Sequence, residues 1–205
     1  GAVVAHEQER GHDDEEHGPW ADRLTAALQA HHEFLPKRLA DPDDPATPWR
    51  HLDAGDLARI VCTEKRAHRD APAGASSTAR TDDPDRTMLG DRQREWLAEV
   101  VADRAPRWTL VLSGTVVSEL TIDAPDQLDG ALPEKYAVED GRAVNTDQWD
   151  GYLADRAVLV DAARRRGGGT VVVSGDIHSS WAIEGPADDG GAVAVEFTCP
   201  PAATT

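Results

Sequence analysis

Cysteine is scarce in this chain, which has only Cys62 and Cys199 among 205 residues. Two cysteines so far apart exclude a disulfide framework and a cysteine-rich zinc site, so we expect two ordinary buried thiols. Phenylalanine, tyrosine and methionine are also rare, with two, two and one residues. No apolar run approaches the ~20 residues that a membrane-spanning helix needs, so the sequence predicts no membrane span.

Positive charge is in deficit as well. The chain has 21 Lys and Arg against 38 Asp and Glu, which gives a formal net charge of −17. Binding to nucleic-acid phosphates needs clustered positive charge, so this composition excludes a nucleic-acid-binding surface. High net charge with little aliphatic content is typical of disorder. Six tryptophans and compact apolar runs such as Thr170–Val173 indicate a folded domain instead.

The start of the chain is polar and acidic, with histidines at positions 6, 12 and 17. We interpret residues 1–18 as a solvated loop or tail, because no fixed spacing of these histidines supports a metal-binding tract. This stretch also lacks the charged start, apolar middle and small-residue cleavage site of a signal peptide. The residues themselves therefore do not indicate where in or outside the cell the protein is located.

Apolar periodicity predicts helices that alternate with strands. Spacings of three and four residues predict two amphipathic helices with an inner apolar stripe, one from Trp20 to near Pro36 and one from about Gly90 to Pro106. A third helix is predicted over Gly151–Arg166. Apolar and β-branched runs predict buried strands at Leu57–Thr63, Arg107–Ser113, Thr170–Ser174 and Gly191–Thr198. Thr121–Asn145 has little periodicity and is interpreted as a surface excursion. The alternation predicts an α/β domain with a largely covered sheet.

The strongest candidate site follows directly on the predicted strand Thr170–Ser174. In open α/β sheets, ligands bind at the carboxyl ends of strands. Asp176 and His178 are two residues apart, so an extended backbone would point both into a cleft and turn Ile177 to the core. A carboxylate and an imidazole suit a metal ion, and Gly175 permits a close approach of the backbone. From the residues alone, a turn-capping Asp176 with a half-buried His178 stays open.

A second candidate lies just before the last predicted helix. Trp149 and Tyr152 stand beside Asp147 and Asp150. Aromatic rings next to carboxylates can form a pocket with an apolar wall and polar tips. The alternative is a plain helix start, with Asp150 as its cap and Trp149 packed on the body of the protein.

Several of these stretches, in the same order and at plausible spacings, resemble the PhoD-like (alkaline phosphatase D) family. The four stretches that carry the resemblance are Arg86–Gly90 with Gln93, Trp96 and Leu97; Asp147–Tyr152; Ser174–Trp181; and Val195–Pro200. Weaker similarity is present in Trp20–Arg38 and Glu64–Arg69. The resemblance covers nearly the whole chain. It implies that Asp176 and His178 match a Gly-Asp-x-His metal motif, and that Trp149 and Tyr152 bind substrate.

The resemblance also implies a fold and a reaction. The fold would be that of the calcineurin-like metallophosphoesterases, a two-sheet sandwich flanked by helices. The reaction would be hydrolysis of phosphoric esters by a metal-activated hydroxide, with Asp176 and His178 as catalytic metal ligands and with Ca²⁺ and Fe³⁺ as cofactors. Implied substrates are small phosphate esters or a cell-envelope polymer, and the implied location is outside the cell or in its envelope. Monoester or diester preference and oligomeric state stay open.

Other ligand motifs of the family, namely an early Asp, a Cys, a Tyr and an Asp-Asp-His-Glu run, are not found in this sequence. We therefore expect residues 1–205 to form a single, partial domain from the interior and C-terminal part of a larger enzyme, inactive by itself. Two other functions stay open. One is a degenerate, non-catalytic interaction module. The other is a serine hydrolase that uses Ser113 or Ser179 with His178, although no G-x-S-x-G motif is present.

Overall fold

The computed structural model describes residues 18–35, 47–73, 80–123, 136–139, 142–185 and 191–200. Three helices lie in these ranges: α1 (Trp20–Phe34), α2 (Asp91–Ala102) and α3 (Leu153–Arg166). A single 3₁₀ turn, Trp149–Gly151, precedes α3. Gly167 ends α3 in the left-handed conformation with φ 81°, which glycine adopts without steric cost. The three predicted helices are confirmed.

Nine strands are present in the described residues: β1 (Arg50–Ala54), β2 (Ala58–Cys62), β3 (Trp108–Leu112), β4 (Thr121–Asp123), β5 (Tyr136–Glu139), β6 (Arg142–Asn145), β7 (Thr170–Ser174), β8 (Trp181–Gly185) and β9 (Ala194–Thr198). Six of them form one sheet in the order β1-β2-β3-β7-β9-β8. The four inner strands are parallel, whereas β1 and β8 run antiparallel at the two edges. This mixed architecture confirms the α/β class.

The segment 121–145 departs from the sequence prediction. Its described part forms a small antiparallel sheet in the order β4-β6-β5 instead of a plain surface excursion. Strands of three or four residues carry too little alternation to be seen in a sequence window. The two edge strands of the large sheet, β1 and β8, were not predicted either, because their five-residue sequences mix charged and apolar residues and form no continuous apolar run.

The hydrophobic core lies between one face of the large sheet and the helices α2 and α3. Val61, Val111 and Val172 project from three adjacent parallel strands and are fully or almost fully buried against Leu97 and Leu159 of the two helices. Full burial of each such side chain contributes about 1.5–3 kcal/mol. Alternation along the strands turns the neighbouring residues to the opposite face.

That opposite face of the sheet is apolar and exposed. Leu112, Val173 and Phe197 lie side by side by strand register, and their exposed fractions are between 37% and 49%. We call the face that these three residues share the open sheet face. The expectation of a largely covered sheet is therefore wrong for the described residues, which cover only one side. The two-sheet calcineurin-like sandwich stays a prediction.

Helix α1 forms where it was predicted, but the expected burial of its apolar stripe is wrong. Phe34 is 83% exposed, and Leu24 and Leu28 are only half-buried, because the described residues pack little against this helix. The expected pair of buried thiols is also wrong. Cys199 is exposed, and Cys62 is half-buried because it lies beside Leu112 on the open sheet face.

The described part of the chain has no helix that is both long and apolar enough to cross a bilayer. The expected polar tail falls almost wholly outside the described residues, which begin at Gly18.

Candidate functional site

The carboxyl ends of the four parallel strands meet at one edge of the large sheet. The loops that follow these strands are residues 63–69, 113–118, 175–180 and 199–200, and we call them together the carboxyl edge. Ligands of open α/β sheets bind at such an edge, because side chains from several loops converge there. All the candidate site residues of this chain lie in these loops or just beneath them.

Asp176 and His178 lie in the loop after β7, and both are exposed. Their predicted alternation does not apply, because β7 ends at Ser174 and Asp176 takes a left-handed φ of 57°. Ile177 is accordingly only half-buried. The Asp176 carbonyl accepts a 3.3 Å hydrogen bond from Gln148 Nε2, which ties this loop to the segment before α3. Metal binding by Asp176 and His178 stays a prediction.

The loop after β2 is held in place by Gln93 of α2. Its side-chain oxygen accepts from the Glu64 amide at 2.7 Å, and its side-chain nitrogen donates to the Glu64 carbonyl at 2.5 Å. The Glu64 carboxylate in turn accepts from the amides of Arg66 and Ala67 at 2.7 and 2.9 Å. A buried amide and one carboxylate thus fix the backbone that carries the cationic side chains of this loop.

Arg66 is the exposed cation of this loop, with 53% of its side chain accessible. Its guanidinium lies 3.8 Å from the Asp176 carboxylate and 3.7 Å from the Asp147 carboxylate. Ion pairs of this length at a half-exposed site contribute about 0–1 kcal/mol each, so they orient Arg66 without locking it. Arg66 therefore links the two carboxylates of the carboxyl edge.

Arg69 is buried beneath the same loop. Its Nε donates to the Tyr152 hydroxyl at 2.8 Å, and its terminal nitrogen donates to the Asp147 carboxylate at 2.5 Å. The Tyr152 hydroxyl donates onward to the Asp70 carbonyl at 2.6 Å. Removing one partner of a buried ion pair costs about 3–5 kcal/mol, so this chain of contacts holds Asp147 rigidly at the edge.

Lys65 reaches from the same loop towards the end of β3. Its ammonium donates a 2.6 Å hydrogen bond to the Thr115 hydroxyl. Burial, followed by the two arginines of its own loop, lowers the pKa of Lys65 from 10.5 to about 7, while Asp176 and Asp147 partly oppose this shift. Sequence reasoning missed Lys65, because nothing local distinguishes it from a surface lysine.

Trp149 and Tyr152 have no exposed surface and belong to the core. The Trp149 indole donates a 2.8 Å hydrogen bond to the Ser113 hydroxyl, which donates to the Thr115 carbonyl at 2.6 Å. The predicted wall position of both rings is not seen in this arrangement, because they pack under the edge rather than along it. Contact of these two rings with substrate stays a prediction. In the structure both rings lie beneath the carboxyl edge, where they hydrogen-bond Ser113 and Arg69.

Glu196 of β9 is a buried carboxylate that sequence reasoning also missed. It accepts hydrogen bonds from the amides of Val117 and Ser118 at 2.9 and 2.6 Å and from the Ser174 hydroxyl at 2.5 Å. It therefore joins the loop after β3 to the end of β7. The alternating run Val195–Thr198 was the available signal, since a charged residue at an inward position needs buried partners.

The donor set for a metal ion is incomplete in the described residues. No group of three or more His, Cys, Asp or Glu side chains that could hold a metal is present among them. The carboxyl edge instead places three cationic side chains, Lys65, Arg66 and Arg69, beside two carboxylates, Asp147 and Asp176. Cations gathered at this edge of an α/β sheet suit an anionic ligand.

Comparison with known proteins identifies the family. The sequence model for PhoD-like phosphatases matches residues 5–205, so this chain belongs to the PhoD-like phosphatase family, a family of phosphoric ester hydrolases. Alkaline phosphatase D from Bacillus subtilis (strain 168) is 28% identical over 167 residues, which is 78% of this chain and 26% of that protein. The family predicted from the motifs is confirmed.

A solved structure described as that of PhoD shares the fold, with a TM-score of 0.69 at 24% identity. The match covers 84% of this chain and 33% of the solved chain. The chain thus spans about a quarter of the curated relative and a third of the solved one. The activity of a whole relative is therefore not transferred directly to these 205 residues.

Proposed function

We propose that this chain supplies the phosphate-binding edge of a phosphoric ester hydrolase. The observation that carries the proposal is the position of Arg66, whose guanidinium lies within 3.8 Å of both Asp147 and Asp176 at the carboxyl edge. A phosphoryl group can replace these long ion pairs with the bidentate geometry that guanidinium groups favour. Family membership supports the same reaction class.

His178 is proposed, together with Asp176, as a catalytic metal ligand of this chain. It is exposed on the same loop as Asp176 and so is accessible to an ion. A neutral imidazole nitrogen gives directional ligation, which suits this role. Arg66 would stabilise the charge on the phosphoryl oxygens during hydrolysis. Trp149 and Tyr152 would keep Thr115 and Arg69 in place from below.

The resemblance adds finer proposals about metals. Ca²⁺ and Fe³⁺ would supply Lewis-acid activation of the attacking hydroxide, with Asp176 and His178 among their ligands. Those two residues alone do not complete a site, since the described residues hold no group of three potential ligands. We also propose, from the resemblance, that the substrates are phosphate monoesters or diesters, including a cell-envelope polymer, and that the location is outside the cell.

The test is a chimera in which this chain replaces the matching segment of Bacillus subtilis alkaline phosphatase D. We expect metal-dependent hydrolysis of a chromogenic phosphomonoester or phosphodiester, lost in Asp176→Asn and His178→Ala. Arg107→Met is the matched control, because Arg107 is exposed at the amino end of β3, away from the site. A folded chimera without turnover would contradict the proposal, provided the unmodified relative is active in the same assay.

A degenerate, non-catalytic interaction module is the second candidate. Two observations favour it: the incomplete donor set of the described residues and the open sheet face. Exposed apolar patches of this kind mark interaction surfaces. The same chimera separates the two functions, because a degenerate module folds but stays inactive at every metal concentration. The serine hydrolase is not favoured for Ser113, whose hydroxyl is buried in contact with Trp149 and Thr115; its Ser179 version stays a prediction.

A further inference from the structure

A cavity of about 290 Å³ lies between the sheet of β4, β6 and β5 and the start of α3. Four charged side chains line it, namely Glu119, Arg142, Asp150 and Arg156. These residues lie outside the loops of the carboxyl edge. Ligand pockets in proteins measure about 300–1,000 Å³, so a cavity of this size suits a small molecule. The cavity is therefore a candidate site that is separate from the carboxyl edge.

The rim of the cavity carries an exposed ion pair. The Arg142 guanidinium lies 2.8 Å from the Glu119 carboxylate, and both side chains are about half exposed. Exposed ion pairs are weak, because water competes for both charges. A ligand that offers a cation to Glu119 and an anion to Arg142 can therefore replace this pair.

The floor of the cavity carries a second ion pair, which is largely buried. Arg156 contacts the Asp150 carboxylate, and both side chains are mostly shielded from solvent. The same carboxylate accepts a 2.9 Å hydrogen bond from the Leu120 amide. Since Leu120 follows Glu119 in the chain, this bond holds the Glu119 backbone beside the floor. Two carboxylates thus line one small cavity.

The negative charge of Asp150 is incompletely compensated in this arrangement. Burial raises the pKa of Asp150, and the Glu119 carboxylate adds to the shift, whereas the Leu120 amide and Arg156 oppose it. A positively charged group of a ligand would lower this pKa again, because an opposite charge favours the ionised carboxylate. The floor is therefore suited to a cation.

We propose that this cavity binds a free α-amino acid with a small side chain, through its ammonium and its carboxylate at the same time. The ammonium group would lie between the carboxylates of Asp150 and Glu119. The ligand carboxylate would bind the Arg142 guanidinium, whose planar fork matches a carboxylate in bidentate geometry. This site is independent of the proposed hydrolase function, since it shares no residue with the carboxyl edge.

The rest of the lining suits the remainder of such a ligand. Val144 and Leu153 offer aliphatic contact to a short side chain. Thr121 adds a hydroxyl, which lies 3.4 Å from the Glu119 carboxylate and so stands next to the expected position of the ammonium. A small apolar or hydroxylated side chain therefore matches this lining better than a charged one does.

Charge balance favours a zwitterion over a ligand with a single charge. The two carboxylates and two guanidinium groups that line the cavity sum to zero. Asp123 stands opposite Arg142 by strand register, but it is exposed and does not line the cavity. An amine that displaced the rim pair would leave Arg142 without a partner, and a carboxylate would leave Glu119 without one. A zwitterion supplies a partner to each.

Isothermal titration of the 205-residue chain with L-alanine, in phosphate-free buffer near neutral pH, tests the proposal. Ethylamine and propionate are the matched ligands, because the first lacks the carboxylate of alanine and the second lacks its amine. We expect saturable binding of L-alanine and at least about tenfold weaker binding of the other two, since each loses one charge-assisted contact.

Variants of the rim locate the binding. Glu119→Gln and Arg142→Met should each weaken L-alanine binding at least about tenfold. Asp161→Asn and Arg165→Met are the matched controls, because these two residues form an ion pair of similar length and exposure on α3, away from the cavity. Both control variants should bind L-alanine as the wild type does.

Far-ultraviolet circular dichroism and urea unfolding show whether each variant is folded. Absence of saturable L-alanine binding at millimolar concentrations, equal affinity for the three ligands, or unchanged binding by a folded Glu119→Gln and Arg142→Met overturns the proposal. If either rim variant does not fold, Glu119→Asp and Arg142→Lys take its place, and the same outcomes apply to them. The proposed hydrolase function is tested separately in the chimera assay, and its failure there would leave L-alanine binding unaffected.

Discussion

The Trp149 indole donates a 2.8 Å hydrogen bond to the buried Ser113 hydroxyl and so connects the core to the carboxyl edge. The Ser113 hydroxyl donates to the Thr115 carbonyl, and the Thr115 hydroxyl accepts a hydrogen bond from the Lys65 ammonium. Trp149, which was predicted to line a substrate pocket, is thus connected to Lys65 through Ser113 and Thr115. The effect of this connection on stability and on phosphate binding can be measured.

Trp149→Phe removes the indole donor and leaves a small cavity. We expect a loss of about 2 kcal/mol in the free energy of unfolding, measured with urea, and weaker phosphate binding, because the support of Thr115 is disturbed. Trp108→Phe is the matched control, because Trp108 is exposed and lies at the amino end of β3, away from the carboxyl edge. That control should change stability by less than about 0.5 kcal/mol. Equal effects of the two variants would contradict the link to the edge.

Glu196→Gln tests the buried carboxylate that joins β9 to the loop after β3. The amide cannot accept three hydrogen bonds as well as the carboxylate does, so at least one buried donor is left without a partner. We expect a loss of about 1–3 kcal/mol in the free energy of unfolding. Glu184→Gln on the adjacent strand is the control, because Glu184 is exposed and should tolerate the change. An unchanged urea midpoint for Glu196→Gln would refute this role.

Lys65 makes stability depend on pH. Its pKa is about 7 in the folded protein and 10.5 in the unfolded chain, so between these values the unfolded chain holds the extra proton. Stability attributable to Lys65 is therefore lowest below pH 7 and rises as the pH increases towards 10.5. The difference in unfolding free energy between wild type and Lys65→Met should shift in favour of the wild type from pH 6 to pH 9. A difference that is independent of pH would show that the pKa is not lowered.

The 205-residue chain alone should hydrolyse no phosphate ester above background. The described residues contain no complete metal-ligand group, and binding of phosphate by cations does not by itself activate a nucleophile. The measurement is turnover of a chromogenic phosphodiester and phosphomonoester with Ca²⁺ and iron added, next to the chimera described above. Metal-dependent turnover by the chain alone, abolished in His178→Ala, would overturn this expectation.

The open sheet face should make the isolated chain self-associate. Val173 and Phe197 are adjacent on this face and exposed, so replacing both with Thr keeps strand propensity and removes apolar area. Sedimentation velocity should show less association for the double variant. Ile122→Thr is the control, since Ile122 is an exposed apolar residue of a different sheet. Equal association of all three proteins would show that this face is not responsible.

Local sequence signals were sufficient for much of the fold. The helix from Leu153 to Arg166 and its glycine end were readable, because helix periodicity and a left-handed glycine involve only neighbouring residues. The strands around Val111 and Val172 were readable as apolar, β-branched runs. The edge strands of mixed polarity, β1 and β8, and the burial of the first helix were not readable, because both depend on what lies next to them in space.

The candidate site also has one part that the sequence determined and another that only the tertiary structure decided. By itself the sequence determined the family, through motifs in order, and the position of Asp176 and His178 after a parallel strand, since motif and strand are both local. Only the tertiary structure decided that Lys65 lies against Gly114 and Thr115, about fifty residues away, and that Trp149 faces the core. The physical reason is strand order: β2, β3 and β7 are adjacent in the sheet, and only that adjacency brings their following loops into contact.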